Sequence, residues 1–504
     1  MASIPNPTGS ARAANKAPRP GSITFGLIGF LFLLELTSGI LQGYYIPLIP
    51  TLIKHLHIET ASYNWFEAAQ LLLSAIVVPF LAKLGDMYGH KRILLISTIL
   101  TGLATWALPF ADSFWPYLVA FALQGFYVVW LPLEVALIFD RGRRSGRSAS
   151  QTRRAAGFLV VALELGAILG DLAGGNLIDV FGGNVTLTLL IPAIAVTLVF
   201  FAILFGVPES QPLPGRRLDA PGFVLLTFGL LLITGGLAFL RIVGPGQLWV
   251  YAMMAAGVLV FIPWTLFELK QKDPAVDIRV FRQPNMWPIQ ITAGLVGISL
   301  LGAQTPLATF AGADPKSGAG LGLSAGGITV VVGIYLISLI IGAVLFPLLA
   351  NLTSPRIALI IATFFVAAGY LDFLLLHSNE LETLANMIVA GLGSGALVGA
   401  LPSAAAAAAP RGQTGIATAL TNTTKTIGGS FASSTFAIVL ASSAVQFLGH
   451  STPTIGGYLT VFSICGCGAL VAAVLLFLVP KLAFADSLAD EEAVITTSAS
   501  ADRV

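Results

Sequence analysis

The chain has 504 residues, of which 56% are hydrophobic and only 10% charged, and its formal net charge is +2. An average soluble protein carries about 25% charged residues, so a soluble domain of useful size is excluded and an all-α polytopic membrane protein is implied. The two cysteines, Cys465 and Cys467, lie in one apolar run and suggest neither a disulfide framework nor a metal site.

Residues 1–22 are rich in Pro, Ala and Arg and lack an apolar core. They read as a disordered tail rather than a signal peptide. Apolar runs near spanning length then fall at 23–49, 62–84, 91–111, 114–139, 156–178, 186–207, 221–240, 248–268, 286–310, 326–350, 356–377, 383–406, 414–445 and 457–480. These predict fourteen transmembrane helices. Of the 26 basic residues, all but Lys54, Arg241, Lys316 and Lys425 then fall on the side of the N-terminus. The excess of Lys and Arg marks that side as cytoplasmic, in a cell (inner or plasma) membrane with both tails inside. The loop Asp140–Arg154 holds six arginines. Positive-inside anchoring accounts for it without nucleic acid.

Pro-containing inside linkers follow helices six and eight. They divide the chain into a tail (1–22), a six-helix bundle (23–208), an inserted two-helix hairpin with its linkers (209–283), a second six-helix bundle (284–480) and a second cytoplasmic tail (481–504). The hairpin spans carry almost no polar residues and read as lipid-facing packing.

Ionisable groups at membrane depth are costly and usually face a cavity or a partner. Glu35 lies about a dozen residues into helix one. Helix five carries Glu164 and Asp171, seven residues apart and therefore on one face. Glycines recur every four residues at Gly166, Gly170 and Gly174, a stripe that lets another backbone approach, expected from the second bundle. Glu134, in the last turns of helix four, reads equally as a partner of Arg141 or as a transport residue. Glu67 and Asp372 lie near outside helix ends and read as solvated. Lys425 is deep in helix thirteen, where it could neutralise one acid across a central cavity. Gln70, Gln124, Gln304 and Asn422 are mid-span amides. Each could line that cavity or simply join two helices.

The loop after helix two reads Ala82-Lys83-Leu84-Gly85-Asp86-Met87-Tyr88-Gly89-His90-Lys91-Arg92. It resembles motif A of the major facilitator superfamily, matching at Leu84, Asp86, Gly89, Lys91 and Arg92 and departing at Ala82, Met87 and His90. Gly89 permits a tight turn, and Asp86 can pair with basic groups or cap a helix. Gly166-x-x-x-Gly170-Asp171-x-x-Gly174-Gly175 resembles the helix-five motif C of that superfamily's exporters, with Asp171 in place of its proline. Lys272–Arg282 and Gly415–Ser430 are similar to the linker before helix nine and to the helix-thirteen signature of the fourteen-helix drug:proton antiporter family. In the latter, Lys425 stands where that family usually has arginine. The family's motif B arginine is absent: Phe121 occupies its place before Gln124-Gly125.

The resemblance implies a major facilitator fold with a site between two bundles that rock to expose it alternately. It implies export of a small amphipathic compound in exchange for protons, with Glu35, Glu164, Asp171 and Glu134 as candidates for coupling. Gln70, Gln124, Gln304, Asn422 and Lys425 are cavity candidates. Asp86, Gly89, Lys91 and Arg92 form the motif A gate, and Gly166, Gly170, Gly174 and Gly175 the helix-five packing. The implied partners are a small molecule, protons and lipid, with a monomeric chain and no cofactor. A facilitator or symporter of a metabolite or lipid is the alternative, and a non-transporting sensor is a further one. No nucleophile–base set or metal cluster suggests an enzyme.

Overall fold

Helix is the structure these apolar runs must take, because in hydrocarbon every backbone N–H and C=O has to be satisfied within the segment. The structure, a computed structural model, describes residues 25–145, 149–210, 218–244, 246–283, 286–408, 414–447 and 450–478. Both expected tails, and 146–148 of the arginine-rich loop, lie outside the described residues.

The first half contains α1 (Phe25–Gly43), a short α2 (Ile49–His55), α3 (Asn64–Tyr88), α4 (His90–Ala107), α5 (Phe114–Gln124), α6 (Trp130–Ser145), α7 (Ala149–Val180) and α8 (Val185–Gly206). The hairpin follows as α9 (Ala220–Val243) and α10 (Leu248–Glu268), then a one-turn α11 (Ile278–Phe281). The second half contains α12 (Trp287–Leu300), α13 (Gln304–Gly312), α14 (Ala325–Leu352), α15 (Pro355–Leu371), α16 (Glu380–Ala408), α17 (Thr414–Ser442) and α18 (Ile455–Phe477). Short polar side chains set several starts. Asn184, Asp219, Ser324 and Ser354 each accept a hydrogen bond from a backbone N–H in the first turn of their helix.

Among the described residues, twelve helical stretches are long and apolar enough to cross a membrane, and Leu27–Gly43 is a shorter apolar helix. The expectation was fourteen. The two places outside the twelve are α1 and α17, and α17 is rich in threonine around Asn422 and Lys425. The apolar run expected to end at 445 ends as helix at Ser442. The chain then forms an antiparallel pair, β1 (Ala444–Phe447) with β2 (His450–Pro453), pairing Ala444 with Pro453.

Within the first half, α1 packs on α7, α3 on α5 and α4 on α8. Within the second, α12 packs on α17 and α18, and α15 on α16 and α18, while α14 packs on α16. The halves meet where α7 touches α14 and α3 touches α17. The hairpin is peripheral: α9 reaches α3 and α17, while α10 exposes Leu248, Val258, Leu259, Ile262 and Leu266.

Close backbone approach explains the tightest seam. A Cβ on Gly166 would collide with the Leu36 carbonyl, one on Gly170 would lie 2.5 Å from the Ile40 carbonyl oxygen, and one on Gly174 would strike the Tyr44 carbonyl. The α7 stripe therefore packs on α1 of its own half. The expected partner, the second bundle, is touched only by the next glycine: a Cβ on Gly175 would collide with Thr329 of α14. The stripe lies about 110° from the acids around the helix, so one helix serves two neighbours.

Candidate functional site

Two interrupted helices mark the middle of the molecule. After Gln124, α5 gives way to a 3-10 turn, Gly125–Val129, before α6 begins. A second break, Leu301–Ala303, separates α12 from α13. Between these breaks lies a cavity of about 50 Å³, walled by Tyr45 just after α1, Tyr63 just before α3, Glu67 and Gln70 in the first turns of α3, Phe121 of α5, and Gln304 and Thr305 of α13. Interrupted helices free backbone groups where irregular backbone lines a cavity.

The amides divide between wall and support. Gln70 Nε2 donates to Gln124 Oε1 at 3.2 Å, and Gln124 Nε2 donates to Tyr45 Oη at 2.7 Å and Thr105 Oγ1 at 3.1 Å. Gln124 is thus fully buried behind the wall, joining α5 to α3, α4 and the turn after α1. Gln304 lines the cavity and donates to the Leu300 carbonyl at 3.2 Å. Asn422 and Lys425 lie on α17, outside the lining of this cavity.

The acids occupy three separate places. Glu35 is fully buried on α1, beside Ser38, and near enough to buried Glu134 of α6 that charge on one opposes charge on the other. Neither oxygen of Glu134 has a hydrogen-bond partner among the described residues. The Arg141 side chain, its alternative partner, lies outside them. Glu164 of α7 and Lys425 of α17 act on each other across the halves. They form no ion pair within 4.0 Å. Asp171 is fully buried at the α7–α14 contact, with neither carboxyl oxygen hydrogen-bonded among the described residues, while Thr329 Oγ1 donates to its backbone carbonyl at 3.2 Å.

Glu67 corrects the reading from sequence. It is 9% exposed rather than solvated, and Ser433 Oγ of α17 donates to its Oε2 at 3.0 Å. The helix end on which it sits is covered by the other half, and a linear reading of hydropathy cannot register that cover.

At the opposite end of α3, Gly89 turns the chain with a φ of 105°, a conformation that glycine adopts without strain. The carboxylate that accepts at the start of α4 is that of Glu209, not Asp86. Its Oε1 accepts from the Lys91 N–H at 3.0 Å and the Ser210 N–H at 3.0 Å, and its Oε2 lies 3.6 Å from Arg92 Nε. Ser210 Oγ accepts from the His90 N–H at 2.8 Å and lies 2.7 Å from His90 Nδ1. Asp86 lies 3.4 Å from His90 Nε2. The missed signal was a carboxylate and a hydroxyl, Glu209 and Ser210, directly after a span. Lys83, one turn before Asp86, donates to the carbonyls of Asp273 at 2.5 Å and Pro274 at 2.9 Å, tying α3 to the linker after the hairpin.

Two helical halves around a buried polar cavity with interrupted helices, in a chain built of membrane-length helices, define a transporter-type membrane protein. The family model of the Major Facilitator Superfamily matches residues 31–433, and the chain belongs to that superfamily. It is a transporter and not an enzyme. The chain is 26% identical over 400 residues to the cephamycin export protein CmcT of Amycolatopsis lactamdurans, covering 76% of this chain and 78% of that one. It is 24% identical over 310 residues to the uridine/deoxyuridine transporter of Lactococcus lactis subsp. cremoris, covering 60% of this chain and 62% of that one. The solved structure of an auto-inhibited POT family peptide transporter shares the fold, with a TM-score of 0.65 and 13% identity over 90% of this chain and 96% of that one.

Proposed function

We propose that the protein exports small amphipathic compounds by alternating access, driven by inward proton flow. The observation that carries this reading is a membrane-depth acid and base on opposite halves, Glu164 on α7 and Lys425 on α17, which act on each other without an ion pair within 4.0 Å. A charge pair split between two moving bodies changes its energy as they move, and binding or losing a proton changes it again. Glu35 is the second proton carrier in this scheme. Its neighbour Glu134 disfavours two charges in one place, so the pair holds a proton readily exchanged for another cation. Asp171 is held in reserve at the α7–α14 contact.

The same reading takes fourteen crossings, with α1 and α17 added to the twelve apolar stretches. It takes two bundles, 23–208 and 284–480, around an inserted segment 209–283, and it sets motif A and both tails on the cytoplasmic side of a plasma membrane. It takes the chain as a monomer of the fourteen-helix drug:proton antiporter family. Similarity to a cephamycin exporter supports the outward direction. The test is transport in proteoliposomes, with and without a pH gradient, of whichever compound most raises the melting temperature in a screen of cationic, neutral and anionic molecules. Accumulation only with the gradient is the expected result.

A second reading, a facilitator or symporter of a metabolite, has one observation in its favour. Phe121 stands in the cavity wall where the antiporter family has its motif B arginine. Gradient-independent equilibration in the same assay is its signature.

A further inference from the structure

Contacts from the other half converge on the first turns of α3. Ser433 Oγ of α17 donates to Glu67 Oε2 at 3.0 Å, and Thr305 at the start of α13 shares the cavity wall with the same carboxyl. One residue on, Ser430 Oγ donates to the Ala68 carbonyl at 2.9 Å. The hydroxyl bonded to Glu67 and the one beside it thus both come from the other half. The halves also press together nearby, where a Cβ on Gly312 of α13 would lie 2.7 Å from Pro50 of α2. All of this lies at the end of α3 away from motif A.

Glu67 is also the acid in the cavity wall, and its neighbours there are aromatic: Tyr45, Tyr63, Phe121 and Tyr127. Aromatic faces attract cations, most strongly where water is excluded. A carboxylate takes a charged donor in preference to a neutral one.

We propose that Glu67 both anchors the transported compound and ties shut the side of the cavity away from motif A, and that the compound carries a protonated amine on an aromatic body. An ammonium group entering from the motif A side competes with Ser433 for the carboxylate. Releasing that hydroxyl frees α3 from α17, so arrival of substrate itself unfastens the far side. Only ligand-dependent coupling makes this productive, because a compound must bind the two states differently to shift them. The proposal rests on the transport reading above and is independent of its proton coupling.

The test uses the full chain with Cys467→Ser, and with nitroxide labels on Lys54→Cys and Lys316→Cys. These two sites are exposed, one on α2 and one in the loop after α13. Pulsed electron spin resonance reads the distance across the closed end. The native chain should give mainly short distances. Ser433→Ala with Thr305→Val should raise the ratio of long to short distances by about tenfold, the weight of one hydrogen bond to a charged group. Millimolar tryptamine should do the same to the native chain. Tryptophol, which has a hydroxyl in place of the ammonium, should not. Glu67→Gln keeps an oxygen for Ser433, so it should stay closed and ignore tryptamine. An unchanged distance distribution in the hydroxyl variant overturns the tie, whatever happens at position 67. A native chain blind to tryptamine, or a Glu67→Gln chain that responds equally, overturns the anchor. Failure of pH-driven transport, by contrast, would leave these distances untouched.

Discussion

At the residue scale, what matters is how each buried charge is compensated. Glu164 and Lys425 act on each other from α7 and α17. Both side chains are half-buried, so removing one leaves the other less well compensated, at a cost below that of breaking a fully buried pair. Lys425→Met alone should therefore lower the melting temperature more than Lys425→Met combined with Glu164→Gln, in which neither charge remains. A double variant less stable than the single one would show that the two charges do not compensate each other. The identities of these residues were legible in the sequence, since an acid or a lysine in an apolar run stands out. Their partners were not legible. Glu164 and Lys425 are separated by most of the chain, and the neighbours of Glu67, Ser433 and Thr305, come from segments that hydropathy treats as unrelated. Gln124 shows the same limit: the sequence left a mid-span amide open between lining a cavity and joining helices, and its hydrogen bonds lie behind the wall.

At the element scale, the glycine stripe of α7 decides how close two helices come. A leucine at Gly170 would need the space now held by the Ile40 backbone, which cannot rotate away as a side chain can. Gly170→Leu should destabilise the chain by at least 1–3 kcal/mol, the usual cost of overpacking. Because α1 and α7 belong to the same half, it should act as a folding defect and not merely block rocking. A normal melting temperature with impaired transport would point instead to a mobile contact. The motif A turn offers a second case. Glu209 supplies the acceptor for the N–H of Lys91 at the start of α4. Glu209→Ala should cost about 0.5–2 kcal/mol, as loss of a helix cap does, while Asp86→Ala, which gives up a 3.4 Å contact to His90, should cost less. Thermal melts of the two variants check the order. Spacing alone showed that a stripe existed. It could not say which helix the stripe met, because a close-packing face is equally suited to any neighbour.

At the scale of the whole molecule, the arrangement of helices was the most legible feature. Each expected apolar run has a helix in its place, since membrane length and backbone satisfaction leave a chain few alternatives. What hydropathy misjudged were ends and interruptions: the breaks after Gln124 and Leu300, and the strand pair after Ser442. These depend on tertiary contacts: the turn after Gln124 packs on α3 and α4, and β2 packs on the turn before α3. The proposed orientation has its own test. Membrane-impermeant thiol reagents should label Lys272→Cys from the cytoplasmic side only and Lys316→Cys from the outside only, and labelling of both from one side would break the fourteen-crossing assignment.

The most direct measurement is gradient-driven uptake into proteoliposomes by the native chain, Glu35→Gln and Glu164→Gln. The native chain should accumulate its substrate against a concentration gradient only when a pH gradient is imposed. A glutamine holds the place of a permanently protonated acid, so each variant should still exchange substrate across the membrane but should no longer accumulate it. Accumulation with undiminished dependence on the pH gradient in both variants would contradict the account.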